Sequence, residues 1–207
     1  MIRLAAVAAA AAVALIAASP RADAAAEIQR VVSPGGIEAW LVEEPAIPMV
    51  ALEMSFNGGA ARDPEGAAGV ANFLAGMLEE GAGELDAFEF AESAQLLGAR
   101  FSFDAGRDSF SVSARMLSEA KQESVELLRL ALTQPRFDAE PMRRVRAQIL
   151  SGIRSREADP NALASEAWWS AAFPADPYGR PVEGTLESVA ALAPEDLEAA
   201  RTRLLNP

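Results

Sequence analysis

The chain has 207 residues, 51% of them hydrophobic, enough for one sizeable core or at most two small ones. It contains neither cysteine nor histidine, so disulfides, thiolate nucleophiles and the usual zinc and serine- or cysteine-hydrolase sites cannot be built within it. Its formal net charge of −12 disfavours nucleic acid as a partner, because phosphate repels an acidic surface.

The first residues read "MIRLAAVAAAAAVALIAASPRADAAAE". Arg3 gives a positive start. The apolar run Leu4–Ala18, about 15 residues, falls short of the roughly 20 that span a bilayer. Ala22-Asp23-Ala24 has the A-x-A form of a cleavage site. These features predict a signal peptide over 1–24, one mature domain over 25–207 with no membrane span, and a periplasmic or secreted location.

Glu27–Val32 and Ile37–Glu43 flank the turn signal "SPGG" and predict a β-hairpin. Met49–Phe56 reads as a third strand, ending at Asn57-Gly58-Gly59. Helices are expected over Gly69–Glu80 and Asp86–Leu97. "ARFSFDAGRDSFSVSARM" then gives two strands, with Phe101 and Phe103 alternating along the first and Phe110, Val112 and Ala114 along the second. Ser118–Leu132 reads as a helix with Ser118 as N-cap and Val125, Leu128 and Leu132 on its apolar side. Ala139–Glu157 is a longer helix carrying Met142, Val145, Ile149 and Ile153 on one side. Pro160 suits the first turn of the next helix, which bears Trp168 and Trp169. "PADPYGRPVEGT" reads as a loop, and Pro194–Leu205 as the last helix. This order predicts an α+β fold, an antiparallel sheet with helices packed on one face.

At 100° per residue, Val70, Phe73, Leu74, Met77 and Leu78 share one face of the first helix. Asn72, Ala75, Gly76 and Glu79 share the other, which could line a cavity or let another element approach closely. Elsewhere, Ser118-x-x-Lys121 fits the S-x-x-K form of penicillin-binding proteins and class A β-lactamases but lacks the companion S-D-N and K-T-G motifs, and it reads as a cap beside a surface lysine. Glu79, Glu80 and Glu84 could attract a hard cation but read as a solvated acidic face. Arg143, Arg144, Arg146, Arg154 and Arg156 make one helix basic and are expected in ion pairs with surface carboxylates. Adjacent Trp168 and Trp169 cannot both face a core centre.

The stretch "GVANFLAGMLEEGAG" resembles the motif region of the insulinase/pitrilysin family of zinc metallopeptidases, the inverzincins, whose signature is His-x-x-Glu-His on a helix. Aligned on Phe73-Leu74, Met77 and Gly81, the first His falls on Asn72, the Glu on Ala75 and the second His on Gly76. "ILSGIRSREADP" resembles the helix carrying the third ligand, a Glu, which falls on Gly152. "FNGGAARDPEGAAGVANFL", "ESAQLLGARFSFDAGRDSFSVSARML" and "DPYGRPVEGTLESVAALAPEDLEAA" resemble the neighbouring segments of the family's first half. The resemblance implies a metallopeptidase-type half whose catalytic and metal positions have lost their groups. It further implies a non-catalytic subunit, similar in kind to the α subunit of mitochondrial processing peptidase, that helps an active zinc-peptidase partner bind or enclose peptides. Zinc is then expected only in the partner, and this chain would have no cofactor of its own. The alternative is a stand-alone periplasmic binding or scaffold module with no protease partner.

Overall fold

The computed structural model describes residues 27–205, and the predicted signal peptide lies outside them. These residues fall into two compact units, divided between Ile47 and Pro48. The first holds an antiparallel hairpin of β1 (Ile28–Val32) and β2 (Glu38–Val42), in the register Ile28↔Val42 to Val32↔Glu38. Its turn follows from "SPGG": Gly36 takes φ +85°, and the Ser33 hydroxyl accepts from the Ile37 amide. Arg30 pairs with Glu38 across the strands at 2.6 Å. Every strand residue is exposed, Trp40 to 78%.

The second unit is built on a three-stranded antiparallel sheet in the order β3-β5-β4, with β3 at Met49–Asn57, β4 at Arg100–Ala105 and β5 at Ser109–Leu117. Alternation decides its faces. Val50, Leu52, Met54 and Phe56 point with Phe101, Phe103, Phe110, Val112, Ala114 and Met116 into the core. The opposite face carries short polar side chains; Ser55, Ser111 and Asp104 lie in one cross-strand row, and Glu53, Ser113 and Ser102 in the next. One face of the sheet is therefore covered by helices and the other is left to solvent, the α+β arrangement expected from the sequence.

The most enclosed helix is α1 (Val70–Met77), with Val70, Ala71, Phe73, Leu74, Ala75 and Met77 all buried. Its start is set by Gly69, at φ +88°, and by the Asp63 carboxylate, which accepts from the Gly69 and Ala71 amides at 2.8 and 3.3 Å. It stops three residues before the predicted Glu80, because residues 78–80 turn towards Gly81, whose φ of +107° cannot continue a helix. α2 (Ala87–Leu96) begins at a capping box between Asp86 and Glu89 and sets Phe90 against Phe101, ring centroids 6.3 Å apart.

Two expectations fail at α3 (Lys121–Thr133). Ser118 does not cap it: residues 118–120 form a 3₁₀ turn, and Ala120 takes the cap position. The buried face is Ser124, Leu127, Leu128 and Ala131, while Val125 is 43% exposed, because buried Ser124 takes the place that hydrophobicity alone assigns to its neighbour. α4 (Ala139–Arg156) buries Met142 and Val145 as predicted, with Ile149 and Ile153 partly covered. α5 (Pro160–Ala172) starts at Pro160, where the Asp159 side chain accepts from the Asn161 amide, and it buries none of its residues. Trp168 is 59% exposed and meets Trp169 edge-on at 4.8 Å. A short helix absent from the sequence reading, α6 (Leu186–Ala191), is nucleated by a reciprocal Thr185–Ser188 cap. α7 (Pro194–Leu204) closes the unit and packs on α1.

Candidate functional site

α1 packs against α4, and the positions singled out by sequence lie along that seam. Asn72 and Gly152 line one open cleft of about 340 Å³, together with Ile149, Ile153, Arg156, Asp159 and Glu183. Ala75 is buried at 9% exposure. Gly76, one helical turn from Asn72, faces α4: a Cβ built there would sit 2.9 Å from Val145 Cγ1. Val145, Ile149 and Gly152 follow one another along the same side of α4. At Gly152 a Cβ would meet nothing within 4 Å. Gly76 and Gly152 are both exposed to solvent, but only at Gly76 would a side chain meet the opposite helix.

A zinc site does not fit the side chains that line this cleft. A catalytic zinc needs three imidazole, thiolate or carboxylate ligands and an open fourth position. Asn72 offers a neutral amide, and Ala75, Gly76 and Gly152 offer no side-chain donor. The carboxylates of the cleft are committed elsewhere: Glu183 pairs with Arg156 at 2.8 Å, and Asp159 caps α5. Among the described residues no group of three or more His, Cys, Asp or Glu is placed to hold a metal ion.

The Arg156–Glu183 pair escaped the sequence reading, which placed Arg156 in a generic basic helix and gave Glu183 no role. Both residues border the cleft and also two neighbouring ones, of about 750 and 200 Å³. Glu183 is held there by a close backbone crossing. Gly69 and Gly184 both take positive φ, and a Cβ on Gly184 would fall 2.3 Å from the Ala68 carbonyl oxygen. The Ser188 hydroxyl donates to the same carbonyl at 2.8 Å. Arg180 donates to the Asp63 carbonyl at 2.9 Å, and the Arg203 guanidinium stands 3.7 Å from the Asp63 carboxylate. Burial pushes the Asp63 carboxyl up to about 6, opposed by the Gly69 and Ala71 amides and then by Arg203 and Arg180.

The remaining candidates lie apart from this seam. Of the basic residues of α4, Arg144 pairs with Glu80, Arg156 with Glu183, and Arg146 donates to the Val189 and Leu192 carbonyls. Glu79 stays in contact with solvent; partial desolvation of its carboxyl, and then the charge of Glu80, raises its pKa. The Glu84 carbonyl accepts from Arg136. Ser118 and Lys121 are exposed. Trp169 carries the Arg107 guanidinium over its ring at 3.8 Å. No helix among the described residues is long and apolar enough to cross a membrane.

A helix-covered antiparallel sheet carries a cleft between its most buried helix and a second long helix, and no set of metal ligands is assembled there among the described residues. The chain belongs to the insulinase family, peptidase family M16, whose model matches residues 39–186. It is 26% identical over 156 residues to the non-peptidase homolog YmxG of Helicobacter pylori, covering 75% of this chain and 36% of that protein. It is 24% identical over 190 residues to an uncharacterized zinc protease of Mycobacterium leprae, covering 92% and 43%. Among solved structures, it is similar to a peptidase M16 inactive domain from Pseudomonas fluorescens, with a TM-score of 0.79, 27% identity, and 85% of this chain and 43% of the other covered. The chain spans less than half the length of these relatives.

Proposed function

We propose that this chain is a non-catalytic subunit of an insulinase-type pair, acting in the periplasm or outside the cell, where it helps an active zinc peptidase bind or enclose peptides. One observation carries the reading. The α1–α4 seam and its cleft keep the family's frame, yet Asn72, Ala75, Gly76 and Gly152 supply no ligand and no general base. The similarity to a non-peptidase homolog and to an inactive domain supports it. Without a metal-activated water such a chain can position a peptide but not attack it, so cleavage must come from a partner bearing His-x-x-Glu-His.

The test is purification from the native host under mild conditions. Affinity capture should bring down a relative with the intact motif, and peptide cleavage should follow that relative through further fractionation. Elemental analysis of the separated chain after dialysis should find well under one zinc per chain. Stoichiometric zinc together with chelator-sensitive cleavage by the pure chain would overturn the reading. Recovery only as a monomer would favour a stand-alone binding module.

A further inference from the structure

The solvent face of the β3-β5-β4 sheet carries an order that solvation alone does not require. Its centre is flat, because Ser55, Ser102, Ser111 and Ser113 are short. Its charges sit towards the two ends. Arg100 and Arg115 are directly opposed in the ladder and both exposed, and among the described residues neither makes a side-chain hydrogen bond or ion pair. Like charges placed this way destabilise a sheet. Four residues along β4, about 13 Å at the rise of an antiparallel strand, Asp104 is exposed and also without an ion pair among the described residues. Between these ends the Glu53 carboxylate accepts from the Ser113 hydroxyl. The face therefore runs from positive to negative along its strands.

We propose that this face docks on the same face of a second copy of the chain, in a two-fold-related pair. A two-fold axis running across the strands at the level of Ser102 and Ser113 keeps β4 over β4 and exchanges the ends, so each copy's Arg100 lies over the other's Asp104. Arg115 then meets Ser111 beside the same carboxylate and lies diagonal to the other copy's Glu53. Charge complementarity selects the occupant. A uniformly acidic partner would satisfy the arginines but set like charge over Asp104, whereas this face turned end for end matches both of its own ends. The serines let the two sheets approach to about 10 Å. Three strands about 4.8 Å apart, nine residues long at about 3.4 Å each, offer on the order of 400 Å² per copy. A standard interface takes about 800 Å² per partner, so the pair belongs to the weak class that separates on dilution. Helices cover the other face of the sheet, and the cleft between α1 and α4 stays open in the pair. The inference does not depend on a peptidase partner.

Sedimentation velocity of the full mature chain, from about 2 to about 200 µM, should show a monomer–dimer equilibrium. Arg100→Glu and Asp104→Arg each place like charges across the axis and should each weaken the dimer by about 10-fold or more. Mixed in equal amounts, the two variants should form a heterodimer about as readily as the parent forms its dimer, because each supplies the charge that the other lacks. The double variant Arg100→Glu/Asp104→Arg should associate with itself for the same reason. Arg143→Glu, an equal change of net charge on an exposed residue of α4, should leave the dimer intact. Arg100→Glu also removes the like-charge contact with Arg115, so its melting temperature should not fall and a loss of dimer is not a loss of fold. A parent that stays monomeric at the highest concentration, a dimer indifferent to both single variants, or the absence of a heterodimer on mixing overturns the inference.

Discussion

Alanine at Gly152 and alanine at Gly76 should act with opposite sign. Both glycines sit in helices at negative φ, so neither position needs glycine for its backbone. In a helix interior alanine is favoured over glycine by about 1 kcal/mol. At Gly152 a Cβ meets nothing within 4 Å, so Gly152→Ala should gain close to that amount and raise Tm by about 2–4 °C. At Gly76 the same gain meets a Cβ 2.9 Å from Val145 Cγ1. Val145 is 3% exposed and branched at Cβ, so it cannot swing aside as a long chain would. Overpacking of this kind costs about 1–3 kcal/mol, so Gly76→Ala should be neutral to destabilising by about 2 kcal/mol. Urea unfolding of both single variants measures the contrast. Placing Gly76→Ala in a Val145→Ala background should restore its stabilising sign, which isolates the contact. If Gly76→Ala alone stabilises as much as Gly152→Ala, α1 and α4 do not meet at Val145 and the description of the seam fails.

The same contact governs re-creation of a metal site: Asn72→His, Ala75→Glu, Gly76→His and Gly152→Glu combined with Val145→Ala should bind zinc above the parent, and more tightly than the fourfold variant that keeps Val145, as read by competition with a chromogenic chelator. Asp63, with a folded pKa of about 6 against 3.8, holds its proton more tightly when folded, so its contribution to stability is full below about pH 4 and is lost as pH rises through 6. Wild type should therefore lose up to about 3 kcal/mol relative to Asp63→Asn across that window, and urea titrations showing a constant difference from pH 4 to 7 would refute it. Gly184→Ala forces a side chain at φ +81° to within 2.3 Å of the Ala68 oxygen and should cost about 2 kcal/mol or more, seen as a fall in the urea midpoint. N-terminal sequencing of secreted protein should begin at Ala25; a mature chain still starting at Met1 would refute processing.

Strands and long helices were legible because their periods are strong. β5 alternates Phe110, Val112, Ala114 and Met116 without a break, and α4 keeps its apolar side from Met142 to Ile153, about three turns. α6 was not legible: six residues are too few to show a period, and its one signal is the Thr185–Ser188 cap inside a stretch of turn formers. The face of α3 was misjudged because a serine is fully buried on it. At the candidate site, it was the resemblance to the family, and no local pattern, that paired Asn72 with Gly152; both line one cleft. The tight approach of Val145 to Gly76 depends on how far a β-branched side chain from another helix reaches, and the Arg156–Glu183 pair depends on a crossing of two glycine backbones. Neither is written in a local pattern.

Arg146 reaches from α4 to the Val189 and Leu192 carbonyls at the end of α6, and its guanidinium lies 5.4 Å from the centre of the Phe73 ring on α1. A helix of six residues has no stability of its own in water. α6 therefore exists on loan from α4, and the two should open as one cooperative unit. In hydrogen exchange, the amides of α6 should not behave as those of a surface turn but should exchange in step with the middle of α4. The segment that holds Glu183 at the cleft would then come free when α4 opens.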